Sequence, residues 1–349
     1  MRLRLWLLLL IAVVSLQAQT AYEKEFLQLV EEKIKDGNIS SVSKVSCTKG
    51  DCFVKDLVLT NTDIETQKKS KLEIASLKLY NVKAFLEFKQ GNSDLKKDEG
   101  RHFSIALKDI REDGHNLFFN KKEMAEAFGK KSEQYRYFQK YLDTPSDADY
   151  SLTLKNEGKD TVIKDKGSLR TGKFSISFKT RYTIKEGLKK LQESAEQNSM
   201  GMLAFIVIND IDIKIENPKG FLKNLIYINY KSDMSKVKGD EAHQSVNTSY
   251  GLLGSKVYTQ KELTTSLLKQ MHSTITETSK KDLVFDALLN KNNQLEKKLE
   301  AMLKGTSRHV YIKIENPKSM SLSDFFTLFM GYAMQQKLIM DPGLKVSIK

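Results

Sequence analysis

The chain contains little of several residue types on which extracellular and catalytic sites often depend. Its 349 residues include two cysteines, four prolines and one tryptophan. The prolines are too few for a proline-rich stalk or linker. The tryptophan, Trp6, lies in the longest apolar run, residues 5–16, so a sugar-binding surface elsewhere would have to stack its ligand on tyrosine. No later segment has the length of a transmembrane helix, and we expect the rest of the chain to be soluble or peripheral.

Catalytic motifs are missing as well. The five histidines lack metal-ligand spacing, and the nucleophile-elbow, phosphate-loop and dinucleotide-binding glycine patterns are absent. Two acid pairs, Asp147 with Asp149 and Asp210 with Asp212, would each share one face of a strand, although polarity at strand edges or turns explains the same spacing. We expect a non-catalytic protein without metal or cofactor. The alternative is an enzyme whose cleft gathers residues from distant segments.

The amino terminus has the layout of a secretory signal peptide. Arg2 and Arg4 precede the apolar run, and small or polar residues follow it up to Ala18. The run is shorter than the roughly 20 residues that span a bilayer as a helix. We therefore expect residues 1–18 to be a signal peptide and the mature chain to be periplasmic; the alternative is an uncleaved anchor.

The chain is basic, with a formal net charge of +13. For an exported protein this charge does not indicate nucleic acid. Its natural partners are anionic lipid headgroups and other acidic components of the cell envelope. The alternative is that the lysines are ordinary solvated surface, because acids are interspersed among them.

The two cysteines flank a turn. Cys47 and Cys52 enclose the sequence Thr-Lys-Gly-Asp and are themselves flanked by strand-like residues. A hairpin would bring the two side chains within disulfide range, and an oxidising compartment would preserve the bond. We predict a structural disulfide. A redox pair or a metal site is the alternative, but the spacing is not that of redox pairs and no histidine lies nearby.

One sequence motif suggests a covalent modification. Asn38 begins an Asn-Ile-Ser sequon with Asp36 two residues before it, and we consider Asn38 a candidate glycosylation site in an exposed turn. The alternative is that Gly37 and Asn38 simply end the first helix. A second sequon, at Asn247, lacks the preceding acid and is the weaker candidate.

Hydrophobic periodicity predicts an α+β fold. The long strands are apolar on one face only, which indicates amphipathic antiparallel sheets that are solvated on one side. The polar segment 235–249 is predicted to be a loop and the best boundary within the chain. Helices are expected at 22–35, 121–142, 185–198, 259–304 in two segments, and 324–336, and strands at 41–47, 52–60, 71–80, 82–89, 102–110, 174–184 and 205–216.

The sequence contains an internal repeat. The heptapeptide Ile-Lys-Ile-Glu-Asn-Pro-Lys occurs at 213–219 and again at 312–318, each time after a predicted helix, and 151–156 is a fainter third copy. We infer a duplicated helix–strand–Asn-Pro unit. The repeated strand either buries its isoleucines in a core or serves as a binding edge. The predicted organisation is a β-rich region, 19–235, and a helix-rich repeat unit, 250–349, unless the two form one continuous domain.

A signal peptide, a helix, the strand pair around Cys47 and Cys52, and repeated amphipathic strands and helices together resemble the layout of the YdgA-like periplasmic proteins, whose function is undefined. More loosely, the layout resembles that of the AsmA-type and tubular lipid-binding proteins, whose curved sheets cradle acyl chains. The resemblance identifies no site residues in this chain.

Two functional hypotheses follow. In the first, the protein is a non-catalytic envelope protein whose amphipathic sheets bind or shield lipid-like ligands, and an open apolar groove would favour it. In the second, it is a structural or adaptor protein of the envelope that acts through protein contacts. A filled core with an exposed patch or a free edge strand would favour the second hypothesis.

Overall fold

A computed structural model describes residues 20–62, 69–89, 100–117, 119–197, 201–281, 294–324 and 345–348 of the chain. The helices are α1 Thr20–Lys35, α2 Val82–Lys89, α3 Lys121–Phe128, α4 Glu133–Leu142, α5 Gly187–Gln197, α6 Phe221–Lys236, α7 Asp240–Ser249, α8 Gln260–Lys281 and α9 Gln294–Lys304. The strands are β1 Ile39–Ser41, β2 Lys44–Thr48, β3 Asp51–Thr62, β4 Lys69–Tyr80, β5 Gly100–Glu112, β6 His115–Asn116, β7 Ser146–Glu157, β8 Asp160–Thr171, β9 Phe174–Ile184, β10 Ile206–Glu216, β11 His309–Glu315 and β12 Lys345–Ile348.

All twelve strands belong to one sheet with the order β1-β3-β4-β5-β7-β8-β9-β10-β11-β12. In addition, β2 pairs with β3 and β6 pairs with β5. Every pairing is antiparallel. The predicted α+β fold with antiparallel sheets is therefore confirmed. No helix of the described ranges is long and apolar enough to cross a membrane.

The main core lies on one face of the sheet, because alternate side chains along a strand point to the same side. On β5, Phe103, Ile105 and Leu107 are buried, and the residues between them lie on the other face. Helices α1 and α2 pack on the buried face through Phe26, Leu29, Val30, Val82, Phe85 and Leu86, and α5 contributes the half-buried Leu188 and Leu191.

Two aspartates mark a break in the side-chain alternation of the first strands. Asp56 of β3 and Asp109 of β5 have left-handed backbone angles, with φ of 51° and 49°, and lie at matching positions on either side of Ala75 of β4. The Asp147 carboxylate of β7 accepts a hydrogen bond from the Asp109 backbone N–H at 3.1 Å. Across this break, residues three apart, and not two apart, point to the same face of the sheet. Leu107 and Ile110 are therefore both buried.

A helical layer connects β10 to β11. Helices α6 to α8 and the loop after α7 enclose a second, smaller core built from Tyr230, Met234, Leu252 and Leu263. The chain leaves β10 and returns to β11 at adjacent points, since the Asn217 N–H donates to the Arg308 carbonyl at 2.8 Å. Close by, a Cβ atom on Gly305 would lie only 3.1 Å from the Gly220 Cα atom.

Some predicted elements were wrong. Residues 82–89 form α2 and not a strand. The alternating apolar residues of this segment suggested a strand, but the Asn81 side chain accepts a hydrogen bond from the Ala84 N–H at 3.2 Å and starts a helix. Val82, Phe85 and Leu86 are then all buried against the sheet, and this packing outweighs the strand-like alternation.

The predicted helix at 121–142 is two helices, α3 and α4, because Gly129 adopts a φ of 78° and Ser132 caps the second one. The predicted loop at 235–249 was also wrong, because α6 extends to Lys236 and most of the remainder forms α7. The division of the chain into two regions stays a prediction. β10 of the first region pairs directly with β11 of the second.

Candidate functional site

The apolar face of the sheet continues beyond the main core onto β9, β10 and β11, where it is incompletely covered. Directly paired residues bring the apolar side chains into rows, for example Phe178 with Ile213 and Ile213 with Ile312. We call this surface the open face. Its members are Ile176, Phe178, Ile211, Ile213, Ile215, Val310, Ile312 and Ile314.

Burial distinguishes the open face from the main core. Phe103 and Ile74, on the first half of the sheet, are 0% and 1% exposed. No member of the open face is buried, and Ile176 and Ile215 are 47% and 38% exposed. The same sheet face thus changes from a closed core to a surface that water reaches. Apolar side chains arranged this way are available to cover the apolar part of a ligand.

A polar cluster lies on the same sheet face, beside the open face. Asp165 of β8 is paired with Thr180 of β9, and the Thr180 hydroxyl donates a hydrogen bond to its carboxylate. Burial, reinforced by the Asp165 charge, raises the pKa of Tyr182 to about 12 and also raises the pKa of Tyr150. Both phenols are protonated at neutral pH, as ordinary tyrosines are. The two phenols and the Asp165 carboxylate thus place polar groups next to an apolar surface. A ligand with an apolar chain and a polar head group needs this combination.

The ring of Phe178 lies against a glycine at the edge of this cluster. A Cβ atom on Gly167 would lie 2.5 Å from the Phe178 ring. The ring therefore occupies the space that a side chain at position 167 would need. A side chain at position 167 would displace this aromatic member of the open face.

The two copies of the repeat lie side by side in the open face. Ile213 of the first copy is the direct partner of Ile312 of the second, and the strands run in opposite directions. The Asn217 N–H donates to the Arg308 carbonyl and the Asn316 N–H to the Asn209 carbonyl, both at 2.8 Å. The two copies are therefore related by a local two-fold axis that passes between Ile213 and Ile312.

The polar side chains of the repeat obey the same symmetry. Lys214 and Glu216 form an ion pair at 2.6 Å, and the equivalent Lys313 and Glu315 form one at 2.5 Å. These residues lie on the solvated face, opposite the isoleucines. None of the repeated isoleucines is fully buried: Ile215 is 38% exposed, and Ile213, Ile312 and Ile314 are half-buried.

The asparagines of the two copies differ. The Asn316 side chain is buried and donates to the Ile208 and Met320 carbonyls at 2.8 and 2.9 Å. Asn217 is only half-buried. After the second copy, the Ser321 hydroxyl accepts a hydrogen bond from the Asp324 N–H, as the side chain of a helix N-cap does. The remainder of the predicted helix at 324–336 lies outside the described residues.

The predicted disulfide is present. Cys47 and Cys52 are direct partners on β2 and β3 and are bonded to each other. Cys52 is 2% exposed and belongs to the main core. The bond therefore closes the hairpin at the end of the sheet that lies far from the open face in strand order.

The two sequons lie in opposite environments. Asn38 is exposed in the turn between α1 and β1, whereas the Ser40 hydroxyl is hydrogen-bonded to that of Thr60. Asn247 is 0% exposed, and its amide donates to the Gly254 and Lys256 carbonyls at 2.7 and 2.9 Å. Only Asn38 is accessible in the folded chain.

The acid pairs and histidines do not converge on a site. Asp147 binds Lys108 at 3.0 Å, Asp212 accepts from the Tyr311 hydroxyl, and burial raises the pKa of Asp210. His102 contacts the Thr153 hydroxyl. Within the described ranges, no group of three or more His, Cys, Asp or Glu residues is arranged to hold a metal ion.

A small recess exists away from the open face, at the end of β5. Its volume is about 80 Å³, and its lining includes Arg111, His115, Asn116, Phe119 and Asp143. Ligand pockets usually have several hundred Å³, so this recess is too small for an acyl chain.

No sequence pattern predicted the cluster of Tyr150, Asp165, Thr180 and Tyr182. The one available signal was Asp165 itself, an acid at an inward position of the strand between Ile163 and Gly167. The other members are ordinary strand residues, and only the pairing of β7, β8 and β9 brings them together.

No protein-family model matches the chain, and a search of curated proteins finds no match.

Proposed function

We propose that the protein is an exported, non-catalytic protein of the cell envelope that binds lipid-like ligands on the open face of its sheet. The single observation that carries this proposal is the change from a closed core over β3 to β8 to a water-accessible apolar surface over β9 to β11. The export part draws on the signal peptide predicted at residues 1–18 and is compatible with the Cys47–Cys52 disulfide.

The ligand that fits this surface is amphiphilic. An apolar chain would lie along the rows of isoleucines, and the polar end would reach Asp165 and the phenols of Tyr150 and Tyr182. The carboxylate accepts hydrogen bonds and the protonated phenols can donate them. This combination favours a head group that carries hydroxyl or amine donors.

Native mass spectrometry tests the proposal, with the protein purified gently from its own envelope. We expect co-purifying mass that fragments as lipid. Ile176→Glu should reduce this bound mass about tenfold, because a carboxylate placed against an acyl chain loses hydration. Ser177→Glu is the matched control, since its side chain lies on the opposite face of the same strand. Equal ligand content in wild type, Ile176→Glu and Ser177→Glu would contradict the proposal, and a stable complex with another protein would favour the adaptor function.

A further inference from the structure

The loop between α7 and α8, residues 250–259, presents apolar side chains to solvent. Leu253 is 87% exposed and Val257 is 61% exposed. They are the two most exposed large apolar side chains in the described part of the chain, and four positions separate them. We call residues 250–259 the apolar loop. Exposed apolar side chains concentrated at one protrusion usually mark a contact surface.

Buried polar groups hold the apolar loop in one conformation. The Asn247 amide binds the carbonyls of Gly254 and Lys256. The Tyr230 hydroxyl donates to Asn247 and accepts from the Tyr258 N–H at 2.8 Å. Asn247 and Tyr230 are both 0% exposed. The fold therefore uses two fully buried polar side chains to fix this loop.

Neighbouring leucines show what this bracing achieves. Leu252 is 4% exposed and belongs to the second core, whereas Leu253 points outward. Leu252 thus anchors the loop while Leu253 stays in water. Since the conformation is fixed in advance, little ordering entropy would be lost when Leu253 and Val257 are buried by a partner.

The apolar loop carries or adjoins two exposed lysines, Lys256 and Lys261, while Asp233 accepts a hydrogen bond from the Tyr250 hydroxyl at 2.9 Å. Residues 242–261 contain Lys256 and Lys261 and no acid. Glu262 is the nearest acid along the chain and is paired with Lys256 at 2.7 Å. The Lys256 Nζ also lies 4.5 Å from the centre of the Tyr258 ring. The loop therefore combines an apolar tip, a tyrosine and lysines, the residue types found at membrane interfaces.

We propose that the apolar loop is a membrane contact that inserts Leu253 and Val257 into the surface of an anionic bilayer. A protein partner is recognised mainly by aromatic or arginine side chains that fill a pocket, whereas the two most exposed side chains of this loop, Leu253 and Val257, are aliphatic. A bilayer needs no pocket, and its anionic headgroups attract exposed lysines. The proposal is independent of ligand binding on the open face.

Vesicle co-sedimentation is the first test, with all variants purified in the same mature form. The vesicles are phosphatidylcholine alone or phosphatidylcholine mixed with phosphatidylglycerol. We expect the protein to bind the mixed vesicles more tightly. Leu253→Ser combined with Val257→Ser should weaken this binding about tenfold or more, because the variant has no apolar side chains at these two positions to bury in the bilayer. The matched control is Ile34→Ser combined with Tyr80→Ser, two exposed sites on other elements, which should bind as the wild type does.

Tryptophan fluorescence is the second test and does not depend on a loss of binding. Leu253→Trp in a Trp6→Phe background carries a single tryptophan. Its emission should shift to shorter wavelength when the mixed vesicles are added, and Tyr80→Trp in the same background should not shift. An unchanged emission of the Leu253→Trp variant, or binding of the serine pair at wild-type strength, would overturn the proposal.

Different variants test ligand binding on the open face and membrane contact by the apolar loop. Ile176→Glu should leave vesicle binding unchanged, and the serine pair at 253 and 257 should leave the native ligand content unchanged.

Discussion

The Tyr311 hydroxyl donates a hydrogen bond of 2.7 Å to the Asp212 carboxylate, and the two residues occupy the same position, immediately before each copy of the repeat. Two equivalent positions have thus become partners across the local two-fold axis. The bond raises the pKa of Tyr311, because ionising the phenol would remove the donor and place two negative charges together.

Tyr311→Phe should lower the free energy of unfolding by about 1 kcal/mol, since the bond is charge-assisted but only half-buried. Asp212→Asn should cost a similar amount, and the double variant should cost less than the sum. Urea unfolding measures all three. Tyr80→Phe, at an exposed site, serves as control and should change stability little. Strict additivity would show that the bond contributes nothing.

Alkaline pH should destabilise the protein through its buried phenols. The unfolded pKa of tyrosine is about 10, and burial raises that of Tyr182 to about 12. The stability contributed by the protonated phenol is therefore complete below pH 10 and is lost as the pH rises towards 12. Urea unfolding between these values should show a smaller loss for Tyr182→Phe than for the wild type. Tyr80→Phe should follow the wild type.

The asparagines of the repeat provide an internal comparison. Asn316→Ala should cost about 2 kcal/mol, because it leaves the half-buried Ile208 and Met320 carbonyls without this donor. Asn217→Ala should cost about 1 kcal/mol or less, because the equivalent side chain is half-buried. Thermal unfolding of both variants checks the order. Equal effects would mean that position within the repeat, and not burial, decides the cost.

Removing the Cys47–Cys52 disulfide should cost about 2 kcal/mol, as expected for the short loop that it closes. The comparison is urea unfolding with and without reductant. A Cys47→Ser, Cys52→Ser variant is the control, and reductant should leave its stability unchanged.

If the chain is N-glycosylated, the sugar should be at Asn38 and not at Asn247, because Asn247 is fully buried. Asn38→Gln should abolish the mass increase. Since Ser40 is bonded to Thr60 in the folded sheet, modification should be faster on the unfolded chain than on folded protein. Folded and unfolded protein are incubated with an N-glycosylating transferase, and mass spectrometry measures how fast each becomes glycosylated. Equal rates for the folded and the unfolded protein would contradict the prediction.

Local patterns explain which parts of the fold were predictable. The strand at 174–184 was predicted because alternation along one strand reports directly which side chains face the core. Residues 82–89 failed because their apolar residues fit both a strand and a short helix, and contacts with distant residues such as Phe103 decide between them. Residues 235–249 failed because α7 has few apolar residues, and its one fully buried side chain is the polar Asn247.

The candidate site was predictable only in part. The repeated isoleucines were visible in the sequence, but nothing local indicates that the two copies pair with each other, or that the coverage of the sheet ends near Ile184. The same applies to Leu253, which is indistinguishable from Leu252 in sequence although one faces water and the other the second core.

The helical layer leaves the sheet and rejoins it at one place, because Asn217 is hydrogen-bonded to Arg308 and Gly220 lies beside Gly305. In the sheet, β10 and β11 pair as the two strands of a β-hairpin, and several helices take the place of its turn. Such an insertion begins and finishes at one spot, so it can be lengthened, shortened or exchanged without rethreading any strand. The apolar loop lies in this inserted layer and the open face lies on the sheet itself, so substitutions in one surface need not disturb the other.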